Sequence, residues 1–194
     1  MRRAACFVLA ATLAGCAVSP VAPPVAPDPE KLQAWTATGR MALAANGEGG
    51  SGSFTWQQRS DEATLSLRGP LGAGAIEVVT DGRTLAVTDA EGRHVGDERA
   101  QAMLRQRLGT DLPLGELRFW MLGVAAPGST ASVADAASAP RRVIEQSGWR
   151  IDYDTFQPAA GYSVPARFTA TQGGVRLRVV VDDWRIDGAP GTAP

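Results

Sequence analysis

The stretch "GVRLRVVVDDWRI", residues 174–186, decides the fold class of this 194-residue chain. Every second position in its first half is apolar, namely Val175, Leu177, Val179 and Val181. Arg176 and Arg178 lie between these positions. Alternation with a period of two predicts a β-strand that presents one dry face and one wet face.

The same alternation recurs through much of the chain. The apolar members of these segments are Met41, Leu43 and Ala45; Phe54 and Trp56; Leu65 and Leu67; Ile76 and Val78; and Leu85 and Val87. Short polar or glycine-rich runs such as "SDE", "DG" and "QGG" separate the segments where hairpin turns belong. Consecutive short strands predict a mainly β protein with an antiparallel sheet that is curved or barrel-like.

Two segments have helical spacing instead. The first is "DERAQAMLRQRLG", residues 97–109, with Asp97 as the expected cap. Its apolar face carries Ala100, Met103, Leu104 and Leu108. The second is "PLGELRFWMLG", residues 113–123, whose apolar face carries Leu114, Leu117, Trp120 and Met121. Residues 124–142, rich in Ala, Ser, Gly and Pro, predict a surface loop.

The N-terminal sequence "MRRAACFVLAATLAGC" predicts export from the cytoplasm. Its apolar run is shorter than the ~20 residues that cross a bilayer, and the charged start and small-residue end are typical of a signal peptide, residues 1–15. The letters "LAGC" resemble the bacterial lipobox, which implies lipidation of Cys16; the alternative is an ordinary signal with an incidental cysteine. Ala17 after the cysteine implies anchoring in the outer membrane, facing the periplasm.

The rest of the chain divides into three parts. Residues 16–30 combine the candidate lipidation site with five prolines, and they predict a semi-extended tether. Residues 31–187 are predicted to form one domain, long enough to bury a sizeable core. Residues 188–194 are predicted to be a flexible tail.

The composition offers little for catalysis or for binding nucleic acid. The formal net charge is −1, so no basic excess indicates nucleic acid. The only cysteines, Cys6 and Cys16, are assigned to the signal peptide and the anchor, which excludes a disulfide in the mature chain. His94 is the only histidine and lies beside a predicted turn, so we expect a solvated side chain and no histidine-rich metal site.

Two further motifs were considered for chemistry. The run "GEGGSG", residues 47–52, matches a dinucleotide-binding pattern, but a strand pattern follows it where a helix is required, so we interpret it as a flexible hairpin tip. Asp182 and Asp183 could suggest paired carboxylates, but adjacent strand residues point to opposite faces, and a solvated pair at a strand end is the better interpretation. We expect no catalytic residue, metal or cofactor.

An unusual turn lies in "LRGPLGAGAIEVV", residues 67–79. Gly69, Pro70 and Gly72 are residue types that turns require, whereas Leu71 is apolar. From these residues alone, Leu71 is either part of the core near a bend or exposed for a purpose.

Six segments in this order behind the lipobox carry a family resemblance. They are "LQAWTATGRMAL", "GSFTWQQ", "LSLRGPLGAGAIEV", "LPLGELRFWMLG", "GWRIDY" and "VRLRVVVDDW". Together they resemble the LolB family of outer-membrane lipoprotein receptors, over nearly all of residues 31–186. The turn departs from the family pattern, since Gly69 stands where an asparagine often precedes the proline.

The resemblance implies a fold and a function. The fold is an unclosed antiparallel β-barrel, or half-barrel, covered by α-helices around a hydrophobic cavity. The function is to accept lipoproteins from the periplasmic carrier LolA and to incorporate them into the outer membrane, without enzymatic activity. The implied partners are LolA, the acyl chains of lipoprotein cargo, and the membrane that holds the lipid anchor; we expect a monomer and no nucleic acid.

The resemblance also assigns candidate residues. Gly69, Pro70, Leu71 and Gly72 are implied to form a membrane-insertion loop with an exposed leucine. We expect the acyl-chain cavity to draw on the apolar faces of the strands and the second helix: Phe54, Trp56, Leu65, Leu67, Ile76, Val78, Leu117, Trp120 and Met121. Two alternatives stay open, a lipid-anchored structural or assembly module of the envelope with a solid core and, more weakly, a hydrolase with a Ser/Asp pair.

Overall fold

The computed structural model describes residues 28–45, 47–69, 74–108, 113–135 and 142–187. Five predicted features lie outside the described residues: the signal peptide, Cys16, most of the tether, the C-terminal tail, and the turn residues Pro70, Leu71 and Gly72.

Eleven strands form one antiparallel sheet in the described part of the chain. They are β1 (Ala34–Ala45), β2 (Glu48–Arg59), β3 (Glu62–Arg68), β4 (Ile76–Thr80), β5 (Leu85–Asp89), β6 (His94–Gly96), β7 (Ala131–Asp135), β8 (Arg142–Gln146), β9 (Trp149–Ala159), β10 (Tyr162–Gln172) and β11 (Val175–Ile186). Their order is β6-β5-β4-β3-β2-β1-β11-β10-β9-β8-β7. Strands β6 and β7 lie at opposite ends of this order, so the sheet is unclosed and the predicted fold class is confirmed.

Three helical segments accompany the sheet in the described residues. A short 3₁₀ helix, Pro29–Lys31, precedes β1, and the Asp28 carboxylate accepts a hydrogen bond from the Glu30 N–H at 3.0 Å. The α-helices are α1 (Asp97–Leu108) and α2 (Leu114–Met121), close to the two predicted segments. Within the described ranges, no helix has the length and apolar character needed to cross a membrane.

The pairing of β1 with β11 joins the two halves of the sheet. It runs from Trp35 opposite Ile186 to Ala45 opposite Val175, and the register shifts once, between Thr38 and Gly39. The alternation quoted above has the predicted effect, because Val175, Leu177, Val179 and Val181 are buried whereas Arg176 and Arg178 are exposed. Burial of this alternating face against the helices is the main source of stability that the fold offers.

The core lies on one face of the sheet, between the strands and the two helices. It includes five large side chains that are each 2% exposed or less: Trp35, Trp56, Trp120, Tyr153 and Phe168. Aromatic pairs connect the layers, since the rings of Trp120 in α2 and Trp149 in β9 lie 6.1 Å apart. We call this the inner face and the opposite, solvated one the outer face.

Two local predictions are wrong. Residues 124–142 contain strand β7, where a loop was expected, because Val133 pairs with Ile144 at the sheet edge although its own side chain is 51% exposed. The run at 47–52 is mostly strand β2 and not a hairpin tip. Glycine is needed there because a Cβ on Gly52 would collide with the carbonyl oxygen of Arg68 in β3.

Candidate functional site

Six of the nine predicted cavity residues lie on the inner face of the sheet and three lie in α2, which packs against it, but the nine are not equivalent. Seven are packed into the core with 8% exposure or less: Phe54, Trp56, Leu65, Val78, Leu117, Trp120 and Met121. Leu67 and Ile76 are only half-buried and pair directly with each other across β3 and β4. Contact of any of the nine with an acyl chain stays a prediction.

Two more half-buried apolar side chains lie toward the same edge of the inner face. Met41 and Leu43 in β1 pack against the core without being enclosed by it. Their partners across the pair are Gly52 and Gly50 in β2, which place no side chain on this face. We call Met41, Leu43, Leu67 and Ile76 the apolar strip.

The apolar strip differs from the sequence-based assignment in one respect. Met41 and Leu43 were recognised as apolar strand positions but were not assigned to the cavity. The signal that could have identified them is the pair of glycines opposite, because a glycine in a strand marks a place where another group approaches closely. The glycine run had been interpreted as a turn.

The C-terminal end of α2 is held to the sheet by buried hydrogen bonds. The Tyr153 hydroxyl donates to the Trp120 carbonyl oxygen at 2.8 Å, and burial raises the pKa of this hydroxyl well above its usual value. The Gln146 side-chain oxygen accepts from the Trp120 ring nitrogen at 3.0 Å and from the Ala126 N–H at 2.9 Å. The Gln146 amide nitrogen donates back to the Ala126 carbonyl at 2.7 Å.

Charged side chains hold the rest of α2. Arg118 donates to the Ser60 carbonyl at 3.0 Å and to the Asp61 carboxylate at 2.9 Å, in the turn between β2 and β3. The Glu116 carboxylate accepts from the hydroxyls of Ser147 at 2.6 Å and Ser129 at 3.1 Å. Hydrogen bonds therefore fix α2 from both sides.

Helix α1 makes a different kind of contact. Its Ala100 is fully buried and Met103 is half-buried, and the helix packs on β5 and β6 at one end of the strand order. Asp97, the predicted cap, is the first residue of the helix, and its carboxylate accepts a hydrogen bond from the Leu85 N–H at 3.3 Å. The apolar contacts described for α1 are thus made by two of its side chains, Ala100 and Met103.

The predicted membrane-insertion loop is described only at its start. Gly69 follows β3 at the sheet edge toward which the apolar strip lies. Pro70, Leu71 and Gly72 lie outside the described residues, so their assignment stays a prediction.

The residues considered for chemistry do not assemble into a catalytic site. His94 is exposed, and its ring lies 3.2 Å from the Thr88 hydroxyl. Within the described ranges, no group of three or more His, Cys, Asp or Glu residues could hold a metal ion.

The argument that Asp182 and Asp183 point to opposite faces is wrong. The register shift opposite Thr38 and Gly39 leaves Asp182 as an extra residue, so both aspartates are exposed. Each has its own guanidinium partner: Arg40 lies 2.9 Å from Asp182, and Arg185 lies 3.5 Å from Asp183. The interpretation as solvated carboxylates holds, although β11 continues beyond them to Ile186.

Comparison with solved structures relates the fold to known proteins. A DUF1329 family protein from Desulfovibrio piger aligns with a TM-score of 0.55 at 8% identity, covering 85% of this chain and 89% of the other. A LolA superfamily protein from Nitrosomonas europaea aligns with a TM-score of 0.50 at 12% identity, covering 82% and 89%. At such low identities these likenesses concern the fold alone.

Comparison of sequences is more specific. The outer-membrane lipoprotein LolB of Halorhodospira halophila is 33% identical over 156 residues, which cover 79% of this chain and 76% of the relative. The protein of the same name from Chromohalobacter salexigens is 32% identical over 191 residues, covering 93% and 88%. The family model described as "Outer membrane lipoprotein LolB" matches residues 33–184, from just before β1 almost to the end of β11. The chain belongs to the LolB family of outer membrane lipoproteins.

Proposed function

We propose that the chain takes lipoproteins from the periplasmic carrier LolA, shelters their acyl chains against the apolar strip, and releases them into the outer membrane. Membership of the LolB family assigns it to lipoprotein localisation at the outer membrane, and it is not an enzyme. The proposal adds the donor, the place where acyl chains bind, and the order of events.

The observation that carries the proposal is the incomplete burial of the apolar strip. When a ligand covers the exposed part of a half-buried apolar side chain, the burial contributes roughly 25 cal/mol per Å² of apolar area to binding. An acyl chain has only apolar surface to offer and needs neither a charged partner nor a catalytic group. Gly50, opposite Leu43, leaves open space beside that leucine for such a chain, whereas the Arg68 carbonyl oxygen fills the space beside Gly52.

The two helices have different roles in this proposal. Helix α2 is the fixed wall, because Gln146 and Tyr153 on one side and Asp61 on the other bind it through hydrogen bonds. Helix α1 is the wall that moves in this proposal, because the apolar contacts of Ala100 and Met103 can be remade around a ligand. Displacing α1 exposes more of the inner face to cargo.

Transfer needs no energy source in this scheme. A tenfold preference over the donor corresponds to about 1.4 kcal/mol. Burial of one more methylene contributes about 0.8 kcal/mol, so two better-covered methylenes are enough. In the same proposal, Cys16 carries the lipid anchor on the periplasmic face of the outer membrane, and Leu71 is the residue that contacts the bilayer. The protein acts as a monomer.

The test uses the chain from residue 16 onward with Cys16→Ser, which carries no acyl chain and contains every described element. An environment-sensitive fluorescent fatty acid should bind it and should be displaced by a purified lipoprotein. Ile76→Asn, in the apolar strip, should weaken this binding. Glu77→Asn, the adjacent residue on the outer face, is the control and should not.

The alternative, a structural module with a solid core, makes the opposite prediction. It requires that no fatty acid binds to the folded protein and that a loaded carrier transfers nothing to it. Binding that Ile76→Asn and Glu77→Asn leave equally unchanged would place the acyl-chain site elsewhere.

A further inference from the structure

A group of exposed arginines lies on the outer face of the sheet, away from the helices. Register places Arg68 in β3, Arg40 in β1 and Arg167 in β10 at one level, with Ser53 and Val180 between them. The next two outward positions along β11 are Arg178 and Arg176. We call these five residues, Arg40, Arg68, Arg167, Arg176 and Arg178, the arginine face.

Most of this positive charge is not neutralised by the described residues. Arg40 is paired with Asp182 at 2.9 Å. The other four arginines make no hydrogen bond or ion pair with any described part of the chain. On β9, Asp152 is paired with Arg150 at 2.9 Å, and Asp154 lies at the register shift opposite Arg167 without an ion pair to it. In a chain whose formal net charge is −1, four such guanidinium groups on one face form a separate basic surface.

The arginine face reaches Gly69, the last described residue before the predicted insertion loop. An open groove of about 450 Å³ lies on the outer face between β2, β1 and β11. Arg40 and Arg178 line it together with Gly69, the last described residue before the loop, and with the apolar side chains of Ala42 and Val180. Guanidinium groups, apolar surface and the start of the loop therefore meet at one place.

We propose that the arginine face binds the surface of an anionic phospholipid bilayer. Guanidinium groups bind phosphate esters through paired hydrogen bonds, and each basic residue close to an anionic membrane surface favours binding by about fivefold. The groove, which is lined by guanidinium groups and apolar surface, accommodates headgroups. The proposal goes beyond cargo handling, because it concerns the opposite face of the sheet from the apolar strip.

The experiment measures binding to vesicles without any cargo, so its outcome is independent of the acyl-chain proposal. The same Cys16→Ser chain is mixed with vesicles of phosphatidylcholine, with or without phosphatidylglycerol, and bound protein is separated by flotation. We expect binding only when phosphatidylglycerol is present, decreasing as salt is raised. Arg176→Gln combined with Arg178→Gln should weaken it about 25-fold at low salt.

The control has the same change in net charge at exposed arginines elsewhere, Arg83→Gln with Arg99→Gln, and should leave vesicle binding unchanged. Circular dichroism of each variant verifies that the sheet is intact. The proposal is overturned if anionic vesicles do not bind the protein, or if the two double variants lose binding equally. It is also overturned if the Arg176 and Arg178 variant binds vesicles normally but no longer accepts cargo from the loaded carrier, since the face would then bind a protein.

Discussion

Leu65 and Leu67 provide a matched test of where an acyl chain binds. Both lie on the inner face of β3, two residues apart, and the same substitution, Leu→Ala, can be made at each. Leu65 is 8% exposed and packed in the core, whereas Leu67 is half-buried in the apolar strip. The two variants should therefore differ in opposite ways for stability and for binding.

The stability effects follow from burial. Leu65→Ala removes a packed side chain and leaves a cavity, which costs about 2–5 kcal/mol. Leu67→Ala removes a side chain that is already half in water, so we expect about 1 kcal/mol, half of the transfer free energy of three carbons. At about 2–4 °C per kcal/mol for a domain of this size, Leu65→Ala should lower the melting temperature several times more than Leu67→Ala.

The binding effects should have the reverse order. If an acyl chain covers the exposed half of Leu67, the alanine variant loses about 1 kcal/mol of binding free energy, or about fivefold in affinity. Leu65 is already enclosed in the unbound protein, so its replacement should change affinity less in the fraction that remains folded. Thermal melts by circular dichroism and titration with a fluorescent fatty acid, well below both melting temperatures, measure the two quantities. A larger loss of affinity for Leu65→Ala than for Leu67→Ala would refute the assignment of the apolar strip.

Three further predictions concern other parts of the molecule. Gln146→Leu should destabilise the fold by about 2–6 kcal/mol in urea denaturation, because it leaves the Trp120 ring N–H and the Ala126 N–H buried without an acceptor. Hydrogen bonds from the Arg83 N–H, the Thr84 N–H and the Thr84 hydroxyl lower the pKa of Asp81 to about 2. The Asp81 carboxylate therefore stabilises the fold at pH values above its unfolded-state pKa. This stabilisation is lost as the pH falls through the pKa of Asp81 in the folded state. The difference in melting temperature between wild type and Asp81→Ala should therefore disappear between about pH 5 and pH 2. Leu71→Asp should leave the melting temperature and cargo binding nearly unchanged but lower the incorporation of lipoprotein cargo into liposomes, since moving a carboxylate out of water is costly. Leu71→Ile should retain cargo incorporation. Equal cargo incorporation by both variants would contradict a role for the loop.

Local patterns predicted the elements whose pairing partners are near in sequence or whose alternation is long. The strands from Ala34 to Asp89 and the arginine–valine alternation of β11 are of this kind, and both helices begin and end close to their predicted bounds. The six strand residues assigned to the cavity do lie on one face of the sheet, and the three in α2 pack against it. Their division into a packed set and a half-buried pair, Leu67 and Ile76, could not be predicted, because both sets show the same alternation in the sequence.

The wrong predictions have different physical causes, some local and some between residues far apart in sequence. The glycine run is a strand because it pairs with the neighbouring β1, and residue 52 is glycine because the Arg68 carbonyl approaches it too closely for any side chain. Asp182 and Asp183 share exposure because β1, more than 140 residues away, pairs with β11 through a register shift. The position of α2 depends on its hydrogen bond to Gln146. Nothing in the sequence around this single polar residue of a short strand indicates that it binds a helix.

The geometry of the sheet connects the proposed anchor with the proposed membrane-binding face. The chain enters the sheet at Ala34, and Gly69 lies beside Gly52, which pairs with Met41, so the two levels are seven residues of β1, or about 23 Å, apart. The twelve steps from Cys16 to Asp28 span at most about 40 Å when fully extended, so an upright domain would use about half of the tether's reach to bring Gly69 to the bilayer. A domain that lies with its arginine face on the membrane needs only a fraction of that reach. In this proposal the arginine face brings Gly69 and the anchor to the same bilayer with little of the tether extended, and the inner face remains open to receive cargo.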